Sequence, residues 1–189
     1  MLQFKWMNES SIEKTADCWK IAALPKSDFF CNNETVGQEG ITPESLSNAP
    51  FYYTEVSGDF VMRVKVSLDF KSTYDSSSIM VMQDDKNWAK ACFELTDFNT
   101  HAVVSVVTTN GYSDDANGCN VDLKSVWLQV CRVGQSFAFH YSADGENFYM
   151  MRFFIYRLEK PSKRAFWLSL PPGMVELGFM KILRSRNVL

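Results

Sequence analysis

The sequence of 189 residues lacks any long apolar run. Nothing in it approaches the about 20 consecutive apolar residues of a transmembrane helix, and its first residues contain no signal-peptide core. Basic residues are not in excess either, since 19 Lys and Arg face 22 Asp and Glu and leave a formal charge of -3. A phosphate backbone attracts proteins through clustered positive charge. The sequence therefore predicts no membrane span and no nucleic-acid partner.

Closely spaced metal or redox ligands are missing as well. The cysteines are Cys18, Cys31, Cys92, Cys119 and Cys131. Their number is odd and no C-x-x-C pair occurs, a pattern typical of free thiols in the reducing cytoplasm. The two histidines have no zinc-ligand spacing, and no P-loop, G-x-G-x-x-G or G-x-S-x-G motif is present. The sequence thus predicts a cytoplasmic protein without a metal site or cofactor.

Aromatic residues, in contrast, are plentiful. The chain has 15 Phe, 7 Tyr and 5 Trp, and 46% of its residues are hydrophobic. Such side chains supply large buried area and favour β-strands. With this length, the composition predicts one folded domain over residues 1–189.

Alternation of apolar and polar residues is the main structural signal. Residues 60–68 place Phe60, Val64 and Leu68 on one face and Arg63 on the other, which is typical of a half-buried strand. The other predicted strands cover residues 78–82, 88–95, 102–108, 126–132, 136–142, 148–156, 165–170 and 175–183. Strands at this spacing favour two antiparallel sheets packed face to face in an all-β sandwich.

Other segments carry turn or helix signals. Residues 84–87 and 142–147 predict hairpin turns, with Gly145 available for positive φ. Residues 114–118 are interpreted as an Asx-rich turn rather than a calcium loop, because the spacing of a calcium-binding EF-hand is absent. Short helices are the best interpretation of residues 10–17 and 43–47, and residues 37–50 predict a long surface loop.

The strand at 88–95 carries a mixed set of functional side chains. Trp88, Lys90 and Glu94 share one face, while Ala89 and Phe93 belong to the apolar opposite face. An aromatic plate, a cation and a carboxylate on one surface suit a sugar or peptide site. The strand alone fits a solvated face better, on which a Lys–Glu pair contributes at most about 1 kcal/mol.

Paired acids raise the question of glycoside hydrolysis. Hydrolysis needs two carboxyl groups about 5 to 9.5 Å apart. Asp84–Asp85 and Asp114–Asp115 are adjacent in sequence, so on an extended strand each pair points to opposite faces. The sequence predicts no enzyme, although Asp75 and Glu94 stay open as a distant catalytic pair.

Several segments together resemble a family of concanavalin A-like domains of unknown function. This family includes the fungal protein named for regulation of enolase and is similar to the C-terminal domain of β-xylosidases. The segments that carry the resemblance are Trp6–Glu9, Trp19, Ser27–Phe30, Ser57–Phe60, Tyr74–Asp75, Trp88–Glu94, Thr108–Asp114, Trp127–Arg132 and Tyr141–Gly145. The chain departs from the family pattern at Ser76–Ser78, where Gln-Ala-Gly is common, and at Asp115, where Trp is usual.

The resemblance implies a concanavalin A-like, lectin or glucanase type of antiparallel jelly-roll sandwich. It implies a non-enzymatic regulatory protein that contacts enolase or another glycolytic enzyme; a carbohydrate-binding lectin-like module is the alternative. The ligand-binding residues that it places on one concave sheet face are Tyr74, Asp75, Trp88, Lys90, Glu94, Ser113, Asp114 and Arg152. Asp75 and Glu94 would accept hydrogen bonds, Lys90 and Arg152 would donate them, and Trp88 would stack on the ligand.

Overall fold

Extended strands make up the regular structure of the described residues. The computed structural model describes residues 3–16, 18–32 and 45–156, with the backbone of three further strands at 166–170, 173–176 and 180–182. The strands are, in chain order, β1 (Lys5–Met7), β2 (Ile12–Lys14), β3 (Cys18–Ile21), β4 (Phe29–Phe30), β5 (Leu46–Ser47), β6 (Phe51–Val56), β7 (Phe60–Ser67), β8 (Ser76–Asp84), β9 (Asn87–Leu95), β10 (His101–Thr109), β11 (Tyr112–Asn120), β12 (Ser125–Val133), β13 (Ser136–Ser142), β14 (Tyr149–Ile155), β15 (Phe166–Leu170), β16 (Gly173–Glu176) and β17 (Met180–Ile182). No helix occurs in these residues, so none of them belongs to a helix able to cross a bilayer.

Two large antiparallel sheets contain most of these strands. Sheet A has the order β1-β6-β15-β8-β9-β10-β11, and sheet B has the order β14-β13-β12-β7-β16-β3-β2, with β17 also paired to β7. The two-residue strands β4 and β5 pair with each other. Strand β9 lies between β8 and β10 inside sheet A, so both of its edges are hydrogen-bonded to neighbouring strands. Its side chains can contact a ligand or another part of the protein only from the two faces of the sheet.

The main core lies between the two sheets. Sheet A contributes Ala91 and Phe93, and sheet B contributes Val64, Leu128 and Phe139, all at most 1% exposed. Their positions follow from the two-residue period of a strand, which sends every second side chain inward. Full burial of a side chain such as Leu or Phe contributes about 1.5 to 3 kcal/mol, so this interface between the sheets is a main source of stability.

The predicted all-β sandwich is confirmed, and the predicted strands between Phe60 and Ser142 are present as β7, β8, β9, β10, β12 and β13. The hairpin turns at 84–87 and 142–147 are also present, and Gly145 has φ of 80°. A Cβ at Gly145 would lie 2.7 Å from Nε1 of Trp127, so space as well as φ requires glycine there.

Two local predictions are wrong. Residues 114–118 belong to β11 and pair with β10 instead of forming a turn, because backbone hydrogen bonding along a sheet edge tolerates a polar sequence. The short helices are wrong at Ile12–Lys14 and Leu46–Ser47, which form strands β2 and β5. Asp17 and residues 37–44 lie outside the described residues, so the predicted surface loop is compared only at 45–50.

Candidate functional site

Strand β9 divides its side chains between two faces as the alternation predicts. Ala89, Ala91 and Phe93 enter the main core with 0% exposure. Trp88, Lys90, Cys92 and Glu94 therefore lie on the opposite side, which we call the outer face of sheet A.

Trp88 does not reach solvent on this outer face. Its side chain is 1% exposed and packs in a second apolar cluster with Met80, Met82 and Val106 of the sheet. Phe29 of β4 closes the cluster, with its ring centroid 6.1 Å from that of Trp88. Trp88 was predicted to stack on a ligand, but in this structure Phe29 and its neighbours cover the indole.

Ser113 attaches the segment that carries Phe29 to the sheet. Its Oγ accepts a hydrogen bond from the backbone N–H of Cys31 at 2.9 Å, and its own N–H donates to the Cys31 carbonyl at 2.8 Å. The Ser113 hydroxyl also contacts Oγ1 of Thr108 at 2.7 Å. Ser113 was predicted to bind ligand, but in the structure its hydrogen bonds hold a covering segment in place.

Lys90 lies beside the covered cluster and is paired with the same segment. Only 7% of Lys90 is exposed, and its Nζ lies 2.6 Å from Oδ1 of Asp28. Burial acts to lower the pKa of Lys90, but nearby negative groups, including Asp28 and Glu94, hold this pKa above its ordinary value. Lys90 is thus a charged ammonium at neutral pH, enclosed on one side by a carboxylate.

Glu94 lies further along the same face and is less exposed than a surface carboxylate. Burial raises its pKa to about 7, the positive charge of Lys90 opposes the rise, and the carboxylates of Asp115 and Asp28 add to it. Partial burial also raises the pKa of Asp115, again opposed by Lys90. Asp28, Lys90, Glu94 and Asp115 are therefore one electrostatically coupled group, which we call the polar site.

Small side chains form the sheet surface within the polar site. Register places Cys92 between Ser78 and Val104, and Glu94 opposite Ala102. Cys92 is 0% exposed, its Sγ lies 3.1 Å from Oγ of Ser78, and burial raises the pKa of its thiol to about 12. The thiol is neutral at pH 7, so the carboxylates supply the negative charge around Lys90.

Asp114 and Arg152 do not join this group. Nη2 of Arg152 lies 2.7 Å from Oδ2 of Asp114, which bridges the edge strand β14 of sheet B to the edge strand β11 of sheet A. Asp114 pairs with Val107, whose side chain packs on the main core, so Asp114 lies on the other side of β11 from Asp115. The prediction that this pair lines the face of Lys90 is wrong.

Tyr74 and Asp75 lie in the connection before β8. Oδ2 of Asp75 accepts hydrogen bonds from the backbone N–H groups of Lys71 and Ser72 at 2.8 and 2.9 Å. Tyr74 is 65% exposed, and its N–H donates to the carbonyl of Leu95 at 2.7 Å. Asp75 is therefore occupied in a turn, whereas the phenol of Tyr74 faces solvent near the end of β9.

Sequence reasoning found Lys90 and Glu94 but missed Asp28 and Asp115. A signal existed for each residue. Asp28 stands directly before Phe29–Phe30, an aromatic pair within the resembling segments, and Asp115 replaces a residue that is usually aromatic in the family. Neither signal shows by itself that the two carboxylates approach Lys90.

The polar site has no arrangement typical of a metal centre. Within residues 3–16, 18–32 and 45–156, no three His, Cys, Asp or Glu side chains are grouped so as to hold a metal ion. The ammonium of Lys90 lies among the carboxylates where a cation would otherwise balance their charge. The chemistry that this arrangement supports is hydrogen bonding to a polar ligand.

Comparisons with solved structures give the fold type. A functionally unknown protein from Saccharomyces cerevisiae aligns with TM-score 0.73 and 23% identity over 93% of this chain and 87% of that chain. The carbohydrate-binding module CBM66 from Bacillus subtilis aligns with TM-score 0.53 and 12% identity over 93% and 92%. A xylan β-1,4-xylosidase from Bacillus halodurans aligns with TM-score 0.56 and 9% identity over 90% of this chain but only 37% of its own. At these identities the likeness establishes the fold, a β-sandwich shared with carbohydrate-active proteins.

Sequence comparison gives the family. Comparison with curated proteins finds no significant match. A family model, in contrast, matches most of the chain and confirms the predicted resemblance to a family of unknown function. The chain thus belongs to the family described as Protein of unknown function (DUF1349), whose model matches residues 6–171.

Proposed function

We propose that this protein is a non-catalytic, lectin-like module that binds a neutral glycan at the polar site. The observation that carries the proposal is the coupled set of Asp28, Lys90, Glu94 and Asp115 on the outer face of sheet A. A sugar hydroxyl can donate to a carboxylate while it accepts from an ammonium, so fixed groups of both kinds suit a polyol. The fold shared with a carbohydrate-binding module supports the proposal.

The charge of the polar site favours one class of glycan. Among the residues that the structure describes, the ammonium of Lys90 is the one cation coupled to the carboxylates of Asp28, Glu94 and Asp115. An acidic sugar would bring another negative charge close to these carboxylates, and like charges at short range in a partly buried site repel. Neutral glycans are therefore expected to bind better than uronic acid polymers.

The surroundings of Asp75 favour binding over hydrolysis. Glycoside hydrolysis uses two carboxyl groups that flank the scissile bond. Asp75 was the sequence-based partner for Glu94, but its Oδ2 is bonded to the backbone of its own turn. We therefore include the absence of catalysis in the proposal.

A regulatory role through contact with enolase is a second candidate, which rests on the family resemblance. The observation that favours a protein contact is a row of exposed apolar side chains on edge strand β14, where Met150, Phe153 and Ile155 are 60%, 56% and 54% exposed. Exposed apolar edges of this kind are typical interaction sites. A cytoplasmic location belongs to the same proposal, and the five free cysteines support it.

Glycan binding is tested with an array that contains neutral and uronic-acid oligosaccharides, followed by calorimetric titration of the best ligand at pH 7.5. Wild-type protein is expected to bind neutral glycans and to ignore the acidic ones. Glu94→Ala should weaken binding about tenfold or more, because a hydrogen bond to a charged group contributes about 1.5 to 3 kcal/mol. The same samples are assayed for released reducing sugar, and none is expected.

The matched control is Glu146→Ala, which removes an exposed carboxylate in the turn before β14, on sheet B. It should leave affinity unchanged. Absence of binding on the whole array would refute the proposal, and so would equal affinity of the Glu94→Ala and wild-type proteins.

A further inference from the structure

A depression opens at the end of sheet A where β9 passes into β10. Its volume is about 370 Å³, and it is lined by Asn99, Thr100, His101, Asn120, Val121 and Asp122. Asn99 and Thr100 belong to the β9–β10 connection, His101 begins β10, Asn120 ends β11, and Val121 and Asp122 follow β11. A volume of this size lies in the range of small-ligand pockets, about 300 to 1,000 Å³.

Hydrogen bonds fix the wall of the depression. Oγ1 of Thr96 and Oγ1 of Thr100 lie 2.8 Å apart, and the Thr100 hydroxyl donates to Oδ1 of Asn120 at 3.1 Å. The backbone N–H of Val121 donates to the carbonyl of His101 at 2.7 Å. Because Oδ1 of Asn120 is engaged as an acceptor, its NH₂ group remains as a donor in a fixed position.

Polar groups around the depression are left open for a ligand. The imidazole of His101 is stacked on Phe70 with ring centroids 4.3 Å apart, so its plane is held. Within the part of the chain that the structure describes, no hydrogen bond is made by the ring nitrogens of His101, the side-chain amide of Asn99 or the carboxylate of Asp122. Donors and acceptors thus converge on a concave surface without partners of their own.

The depression adjoins the polar site on its Asn120 side, at the end of the outer face, whereas His101 and Val121 lie on the side of sheet A that faces the main core. Glu94 pairs with Ala102, and Ala102 pairs in turn with Asn120 of β11. Phe98, next to Asn99 in the connection, is 77% exposed. An exposed ring at this end can supply the apolar contact with a sugar that the buried Trp88 cannot.

We propose that this depression is a second sugar subsite, so that the protein binds an oligosaccharide with one unit at the polar site and the next against Phe98, Asn120 and Asp122. The inference rests on the proposed glycan binding and extends it from a single sugar to a chain. Amides and a carboxylate would bond the hydroxyls of the second unit, and the ring of Phe98 would stack on its apolar face.

The test is calorimetric titration of the full chain with xylose, mannose and glucose, and with their oligomers of two to four units. Oligomers of the binding sugar should bind about tenfold tighter than the monosaccharide, since a second subsite adds contacts. Phe98→Ala and Asp122→Ala should each remove most of that gain and leave monosaccharide affinity unchanged. Glu94→Ala should lower the affinity for the monosaccharide and for its oligomers.

Phe153→Ala is the control, because it removes an exposed ring on sheet B. Phe153→Ala should preserve the higher affinity of the oligomers relative to the monosaccharide. A monosaccharide that binds as tightly as its oligomers would overturn the second subsite while the proposed function stands. An unchanged oligomer affinity in both Phe98→Ala and Asp122→Ala would overturn it as well, whereas failure of these sugars and of every neutral glycan on the array to bind would refute the proposed function itself.

Discussion

Glu94 and Lys90 lie four residues apart on one strand face, but their surroundings differ. Lys90 is buried and paired with Asp28, so it stays charged. Glu94 is partly buried near several carboxylates, so its ionisation is opposed and its pKa rises to about 7. The ionised form of Glu94 therefore destabilises the fold at neutral pH, and under the proposed function a ligand hydroxyl that bonds to it would offset this effect.

Glu94→Gln is expected to stabilise the protein at high pH. Because the folded pKa is about 7 and the unfolded value is 4.5, the wild-type protein loses stability as pH rises between these values. The variant lacks this dependence of the free energy of unfolding on pH. It should therefore exceed wild-type stability at pH 8 by on the order of 2 kcal/mol and should not differ from wild type below pH 4. Urea unfolding at pH 4, 6 and 8 measures the effect.

The control for this residue is Glu146→Gln, since Glu146 is exposed in a turn on sheet B. It should follow the wild-type pH dependence. A Glu94→Gln protein that is less stable than wild type at pH 8 would contradict the effect assigned to burial.

At the scale of elements, the segment from Asp28 to Asn32 decides what the outer face of sheet A exposes. Phe29 seals Trp88, Asp28 pairs with Lys90, and Cys31 exchanges hydrogen bonds with Ser113. The backbone of Asp28 is itself held, because its carbonyl accepts from the N–H groups of Asn48 and Ala49. The segment converts one end of the face into a second core and leaves the Glu94 end open.

Asp28→Asn is expected to destabilise the protein more than Lys90→Met does. The first change leaves the buried ammonium of Lys90 without the negative charge of Asp28, whereas the second leaves a carboxylate whose side chain is 44% exposed and stays hydrated. The difference should be about 2 kcal/mol in the free energy of unfolding, measured by urea denaturation at pH 7.

The double variant Asp28→Asn, Lys90→Met completes the cycle. Once the ammonium is gone, replacing Asp28 should have little further effect. If Asp28→Asn is as stable as Lys90→Met, the pair does not hold the segment to the sheet.

At the scale of the whole molecule, the two sheets present different outer surfaces. Sheet A carries the polar site, while the edge strand of sheet B carries the exposed apolar row of Met150, Phe153 and Ile155. The ion pair of Arg152 and Asp114 joins the edges of the two sheets between these surfaces. Glycan binding and protein contact would therefore use separate regions and can be separated by mutation.

Phe153→Lys is expected to weaken binding to purified enolase from the same organism about tenfold, because a charge replaces an apolar contact in the row. Glycan affinity should not change. Surface plasmon resonance measures the protein contact, and Phe98→Lys on sheet A is the control that should retain it. Absence of enolase binding by the wild-type protein would contradict the regulatory proposal.

The strands were largely predictable because their signal is local. The alternation at Phe60–Leu68 and at Trp88–Leu95 identifies buried faces from neighbouring residues alone, and β7 and β9 confirm it. Short or polar strands such as Ile12–Lys14 and Tyr112–Asn120 carry no such signal, since their pairing partners are set by the sheet.

For the site, the two-residue period of a strand was sufficient to put Trp88, Lys90 and Glu94 on one side of β9. The strand period does not indicate which of the three side chains is accessible to solvent. The Asp28–Lys90 ion pair joins residues that are 62 positions apart in the sequence, and the contact between Phe29 and Trp88 is also a long-range one. Contacts over that separation depend on the path of the chain between the strands. The folded arrangement alone therefore buries the indole of Trp88, pairs the ammonium of Lys90 with Asp28 and leaves the carboxyl of Glu94 partly exposed.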